Sequence, residues 1–114
     1  MPQTHSDNSY IDHAMSYIDS HYSMDISVED MANTLHISSS HLRCLFADEF
    51  GYSPQEAIIK KRIAVAKSLL RSDNPPSIQK IAQMCGYSDQ GAFTKRFKNE
   101  VGISPSEYLK SLNK

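Results

Sequence analysis

The segment GYSDQGAFTKRF, Gly86 to Phe97, has a counterpart fifty residues earlier in HISSSHLRCLF, His36 to Phe46. The likeness extends in both directions. SVEDMANTLHIS (Ser27 to Ser38) lies over SIQKIAQMCGYS (Ser77 to Ser88) at a shift of fifty. After one extra residue in the second copy, HLRCLFADEFGYSPQEAI from His41 matches AFTKRFKNEVGISPSEYL from Ala92 at a shift of fifty-one. Leu42 then falls on Phe93, Phe46 on Phe97, Gly51 on Gly102, Pro54 on Pro105 and Glu56 on Glu107. A match that preserves apolar positions and turn residues together indicates a structural unit written twice.

Each copy has the period of a helix. Val28, Met31, Ala32 and Leu35 stand at i, i+3, i+4 and i+7, as do Ile78, Ile81, Ala82 and Cys85. Ser27 and Ser77 occupy N-cap positions, because a serine oxygen can accept from the unpaired amides of a first turn. These helices are expected to end at His36 and Gly86, residue types found in the left-handed conformation. Ser38 and Ser88 are expected to cap the next helix, which carries Leu42, Leu45, Phe46 and Phe50, or Phe93, Phe97 and Val101. Gly51 and Gly102 close it. SPQE and SPSE then open a third helix with a serine cap, proline at the first position and glutamate reaching back.

Two short helices joined by a tight turn form a helix-turn-helix, present here twice. Between the copies, Ile58, Ile59, Ile63, Ala66, Leu69 and Leu70 recur at helical spacing with no Gly or Pro before Pro75. This predicts one linking helix of about 19 residues, roughly 28 Å long. Upstream, Ile11, Ala14, Met15, Ile18 and Tyr22 form another stripe. The expectation is an all-α chain of seven helices. It comprises a disordered tail over 1–8, a first helix-turn-helix over 9–52, a linker helix over 53–72 and a second helix-turn-helix over 73–114.

The net charge of −1 conceals an asymmetry. Residues 1–50 carry one basic residue, Arg43, against eight acidic ones, and residues 51–114 carry eleven basic against five acidic. The second part therefore suits a polyanion better than the first. No apolar run is long enough to span a membrane, and MPQTHSDNSY has no apolar signal core. Two cysteines form no disulfide framework, which favours a reducing cytoplasmic location. No catalytic constellation, cofactor-binding loop or metal-ligand spacing is present, so catalysis, cofactor and metal are all expected to be absent. The tyrosines Tyr17, Tyr22, Tyr52, Tyr87 and Tyr108 are expected at core edges, and Cys85 within a core.

With the core face of each second helix set aside, Ser40, Arg43, Cys44 and Ala47 point outward in the first copy. In the second copy it is Gly91, Thr94, Lys95 and Lys98, with Gln90 near the helix start. In DNA-binding helix-turn-helix proteins this face enters the major groove. Arg and Lys suit guanine, Gln suits adenine, and Thr reaches several bases or the thymine methyl. Arg96, Lys98 and the helix N-termini, with Ser39 and His41, are candidates for phosphates. A rod near 30 Å would set the two heads about one DNA turn, about 34 Å, apart. The chain could then engage two grooves as a monomer. A different reading, a helix-turn-helix that docks a protein partner through its acidic half, is distinguished by showing no salt-sensitive affinity for DNA.

The arrangement resembles the DNA-binding domain of the AraC/XylS family of bacterial transcription regulators. The signature is concentrated in IAQMCGYSDQGAFTKRFKNEVGISPSEYL, Ile81 to Leu109, and the resemblance covers about residues 9–112. It implies seven helices, two helix-turn-helix subdomains and sequence-specific binding of double-stranded promoter DNA. It also implies transcriptional control, most often activation through RNA polymerase. Carried over by position, the base-reading candidates are Ser40, Arg43 and Cys44, then Gln90, Gly91, Thr94 and Lys95. The second head is expected to anchor the complex, and Arg43 to supply most of the first head's readout. The acidic start suits a surface held by a sensor domain N-terminal to it, which favours an excised output domain over a stand-alone regulator.

Overall fold

A computed structural model describes residues 2–112, with side chains from residue 9 onward. Seven helices follow one another: α1 Pro2–His21, α2 Val28–Leu35, α3 Ser39–Phe50, α4 Pro54–Leu70, α5 Ile78–Met84, α6 Gln90–Val101 and α7 Pro105–Leu112. No strand occurs among the described residues. The expected tail at 1–8 lies where side chains are outside the described residues, although α1 as a backbone helix begins at Pro2. The chain divides into two compact units between Ile58 and Ile59, within α4.

In unit 1, Ile11, Ala14 and Ile18 of α1 meet Val28, Met31 and Ala32 of α2, and Leu42, Leu45 and Phe46 of α3. Ala57 and Ile58 complete this core. In unit 2, Ile59, Ile63, Ala66 and Leu70 form one stripe of α4 and pack on Ile81, Ala82, Cys85, Phe93 and Phe97. The linking segment thus supplies side chains to both cores. Successive helical residues point about 100° apart, so Ile58 and Ile59 can serve different neighbours. Tyr17 and Tyr52 flank the first core, and Tyr87 and Tyr108 the second. Pro54 and Pro105 open α4 and α7 and are fully buried.

The caps explain where the helices begin and end. Ser27 Oγ accepts from Asp30 N at 3.1 Å, while the Asp30 carboxylate accepts from Ser27 N at 3.3 Å, a closed capping box. In unit 2 Lys80 stands at the Asp30 position, and only the serine half remains, Lys80 N to Ser77 Oγ at 3.1 Å. His36 takes φ 62 and ψ 36, and Gly86 takes φ 93. Each lets the next amide turn back, Ile37 N to Ala32 O and Tyr87 N to Ala82 O, both 3.0 Å. At the entry to α7, Ser104 N donates to Glu107 Oε1 at 3.0 Å and Glu107 N donates to Ser104 Oγ at 3.2 Å. These bonds hold the Glu107 carboxyl below its ordinary range.

One cap departs from expectation. Asp89, not Ser88, caps α6, and its Oδ1 accepts from Ala92 N at 2.7 Å. The extra residue of the second copy falls before the cap, so Asp89 takes the place that Ser38 holds in unit 1. The α2–α3 turn is 36–38 and the α5–α6 turn 85–89; the extra residue supplies one of the two by which the second is longer, and α5, one residue shorter than α2, supplies the other. The second turn is braced within its unit: Arg62 of α4 lies over the Tyr87 ring, Cζ 5.3 Å from its centroid, and that ring packs on Phe93.

Candidate nucleic-acid interface

Alternation of buried and exposed positions along α3 and α6 builds the candidate interface. In α3, Leu42, Leu45 and Phe46 are buried, which turns Ser40, His41, Arg43, Cys44 and Ala47 outward. Ser39 is half-buried. In α6, Phe93 and Phe97 are buried and Gln90, Gly91, Lys95, Arg96 and Lys98 are exposed, with Thr94 half-buried. Apart from the half-buried Ser39 and Thr94, each helix therefore turns its own candidates to solvent, with two phenylalanines in α6, and two leucines and a phenylalanine in α3, fixing its roll.

The starts of α3 and α6, named above as phosphate candidates, each carry a side-chain cap. Ser38 Oγ accepts from His41 N at 3.0 Å, and Asp89 Oδ1 from Ala92 N. An oxygen at the cap satisfies the donor that an anion would otherwise use, and Asp89 adds a negative charge there. The His41 ring stands edge-on to Tyr10 of α1, centroids 5.8 Å apart at 72°. Glycine at 91 also has a local reason. A Cβ there would come within 3.2 Å of Asp89 Oδ1, so the small residue leaves room for the cap.

Two residues that shape the site escaped the sequence reading. Asp89 could have been found by applying the shift of fifty-one at Ser38. Glu29, in the first turn of α2, places Oε2 3.7 Å from Arg43 Nη2, and no periodicity announces that meeting.

Electrostatics divides the units more sharply than the halves of the sequence do. Unit 1 has one basic residue and nine acidic ones, a formal −8; unit 2 has eleven basic and four acidic, a formal +7. The sharper step arises from Glu56, which falls on the acidic side of this division; Lys60, Lys61 and Arg62 lie just across it on the basic side.

The two cysteines differ in kind. Cys44 is exposed on α3 and Cys85 is buried. Burial pushes the Cys85 thiol from 9.0 up to about 11, with the Arg62 charge working against the rise. At pH 8 a thiol reagent is expected to titrate one fast thiol per chain, Cys44, and to reach Cys85 only on unfolding. Because the folded value is raised, the contribution of Cys85 to stability is intact below pH 9 and is lost as pH rises to about 11. Rapid modification of both thiols at pH 8 in the folded chain would contradict this.

A family model described as a helix-turn-helix domain, that of the AraC/XylS regulators, matches residues 31–111. The chain belongs to the AraC/XylS family. The raffinose operon transcriptional regulatory protein RafR of Pediococcus pentosaceus is 40% identical over 99 residues, covering 87% of this chain and 35% of that protein. The lactose operon transcription activator of Staphylococcus xylosus is 38% identical over 101 residues, 89% of this chain and 36% of the relative. This AraC/XylS chain thus spans about a third of the length of these curated relatives. Among solved structures, the C-terminal domain of AraT, a response regulator from Geobacillus stearothermophilus, superposes with a TM-score of 0.84. It is 31% identical, covering 90% of this chain and 84% of that one. The seven-helix, all-α fold expected of an AraC/XylS DNA-binding domain is the fold observed. No described helix is long and apolar enough to cross a membrane.

Proposed function

We propose that the chain is the DNA-binding output part of a transcription activator and reads double-stranded promoter DNA with α3 and α6, each in a major groove. The observation that carries this reading is the row Gln90, Lys95, Arg96 and Lys98, exposed on one helix whose roll is set by buried Phe93 and Phe97, in a unit of charge +7. Such a row combines base-edge readers with phosphate cations, which is the chemistry of groove recognition. In this reading Ser40, Arg43, Cys44, Gln90, Gly91, Thr94 and Lys95 face bases. Ser39, His41, Arg96 and Lys98 face the backbone.

The repeat supports two successive grooves engaged by one copy, since a second head on the same chain replaces the second protomer of a dimeric helix-turn-helix. RNA polymerase and a sensor domain are the further partners of this reading, the second supported by the greater length of the relatives. The cellular setting is the cytoplasm, and the part played is binding, without catalysis.

The test is fluorescence anisotropy of a random duplex of about 25 base pairs, long enough for two turns, at several salt concentrations. Micromolar binding is expected, weakening with a log–log slope of about −0.9 for each phosphate neutralised. A slope near zero, or no binding at low salt, would exclude DNA reading by α6 and favour a protein-docking module.

A further inference from the structure

Arg43 is the single Lys or Arg of unit 1, and Glu29 stands against it. The contact joins Nη2 in α3 to Oε2 in the first turn of α2 at 3.7 Å, with the two side chains 51% and 66% exposed. Unit 2 has no counterpart by sequence: at the two shifts of the repeat, Glu29 falls on Gln79 and Arg43 on Thr94. The pairing is therefore a property of the first reading head alone.

Its strength suits exchange. The distance is beyond that of a hydrogen bond, and an exposed ion pair shifts an equilibrium by about fivefold at most. Five N–H donors share the guanidinium, and one long contact engages few of them. A phosphate met at random offers Arg43 another anion of the kind it already has. A guanine offers O6 and N7 in the fixed spacing that matches a guanidinium fork, a planar bidentate partner. A carboxylate at this range competes well with the first and poorly with the second.

The geometry points to Glu29 as a specificity-determining residue for the DNA reading proposed above, on which this inference rests. Glu29 masks the one guanidinium of unit 1 on non-cognate DNA and releases it where a guanine is correctly placed. Unit 1, at −8, then adds little to non-specific affinity and reserves its contribution for sequence.

The experiment compares the unaltered chain, Glu29→Gln, Arg43→Ala and the double variant. Anisotropy is measured on a random duplex and on a duplex selected from a randomised pool by the unaltered chain. Glu29→Gln is expected to tighten random-duplex binding about threefold and to steepen its log–log salt slope by about 0.9. Binding to the selected duplex should change by less than about twofold, so the preference narrows. In the Arg43→Ala background the same substitution should leave random-duplex affinity unchanged. Equal tightening with and without Arg43 would mean that Glu29 only repels DNA, and would overturn the assignment. So would an unchanged random-duplex affinity in Glu29→Gln alone. If the unaltered chain shows no preference for any selected duplex, the DNA reading falls and this inference with it. If the preference is present and lost in Arg43→Ala but indifferent to Glu29, the reading stands and only the inference falls. Circular dichroism checks that all four proteins keep their helices, as expected for exposed positions.

Discussion

Replacing Phe97 by Ala is expected to destabilise unit 2 by about 3–5 kcal/mol. Phe97 is fully buried, with its ring 5.7 Å from that of Phe93 and 5.6 Å from that of Tyr108. Truncation removes the apolar transfer of a whole ring and leaves a void where α6 and α7 meet, and both costs add. Small domains hold about 5–15 kcal/mol in total, so the loss is a large part of what a unit of this size can have. Hydrogen exchange is the measurement. Protection should fall through α5, α6 and α7 and the second half of α4, whose Ile63 and Ala66 share that core. Protection in α1, α2 and α3 should persist, because their core is built from other residues. Simultaneous loss throughout the chain would show instead that the two cores unfold as one cooperative body.

The second large effect concerns binding. Lys95→Ala and Lys98→Ala together are expected to weaken affinity for the preferred duplex roughly a hundredfold, with two distinguishable parts. If Lys95 faces a base, as proposed, its loss costs about 1–3 kcal/mol at one position of the site and relaxes preference there. Loss of Lys98 weakens all sequences alike. Each lost cation flattens the salt slope by about 0.9. Both side chains are exposed on α6, so the melting temperature should hardly move, and a binding loss cannot be ascribed to unfolding. An unaltered salt slope in the double variant would remove these lysines from the interface and leave α6 without its assigned part.

Much of this was legible in the sequence. The repeat carried its own punctuation, and the punctuation is local chemistry. Ser27, Ser77 and Ser104 cap because a serine oxygen reaches an amide three residues on. Gly51, Gly86 and Gly102 turn because φ is positive there and glycine lacks a Cβ. The inward apolar residues of α3 and α6 left the outward positions of each helix by subtraction; Ser40, Arg43, Cys44, Ala47, Gln90, Gly91, Lys95 and Lys98 are exposed, and Thr94 is half-buried. The Ser88 cap failed for a reason visible in the sequence itself: the inserted residue moved the cap to Asp89.

The sequence by itself determined seven helices, their order and the apolar face of each second helix. These follow from periods and caps, interactions that reach no farther than about five residues along the chain. Only the tertiary structure decided that α4 is shared between two cores, with the division between Ile58 and Ile59. It alone decided that the His41 ring meets Tyr10 and that Arg43 meets Glu29. Such meetings depend on how helices cross and which ridges interlock. A helical period states which face is apolar, and leaves open which neighbour that face will find.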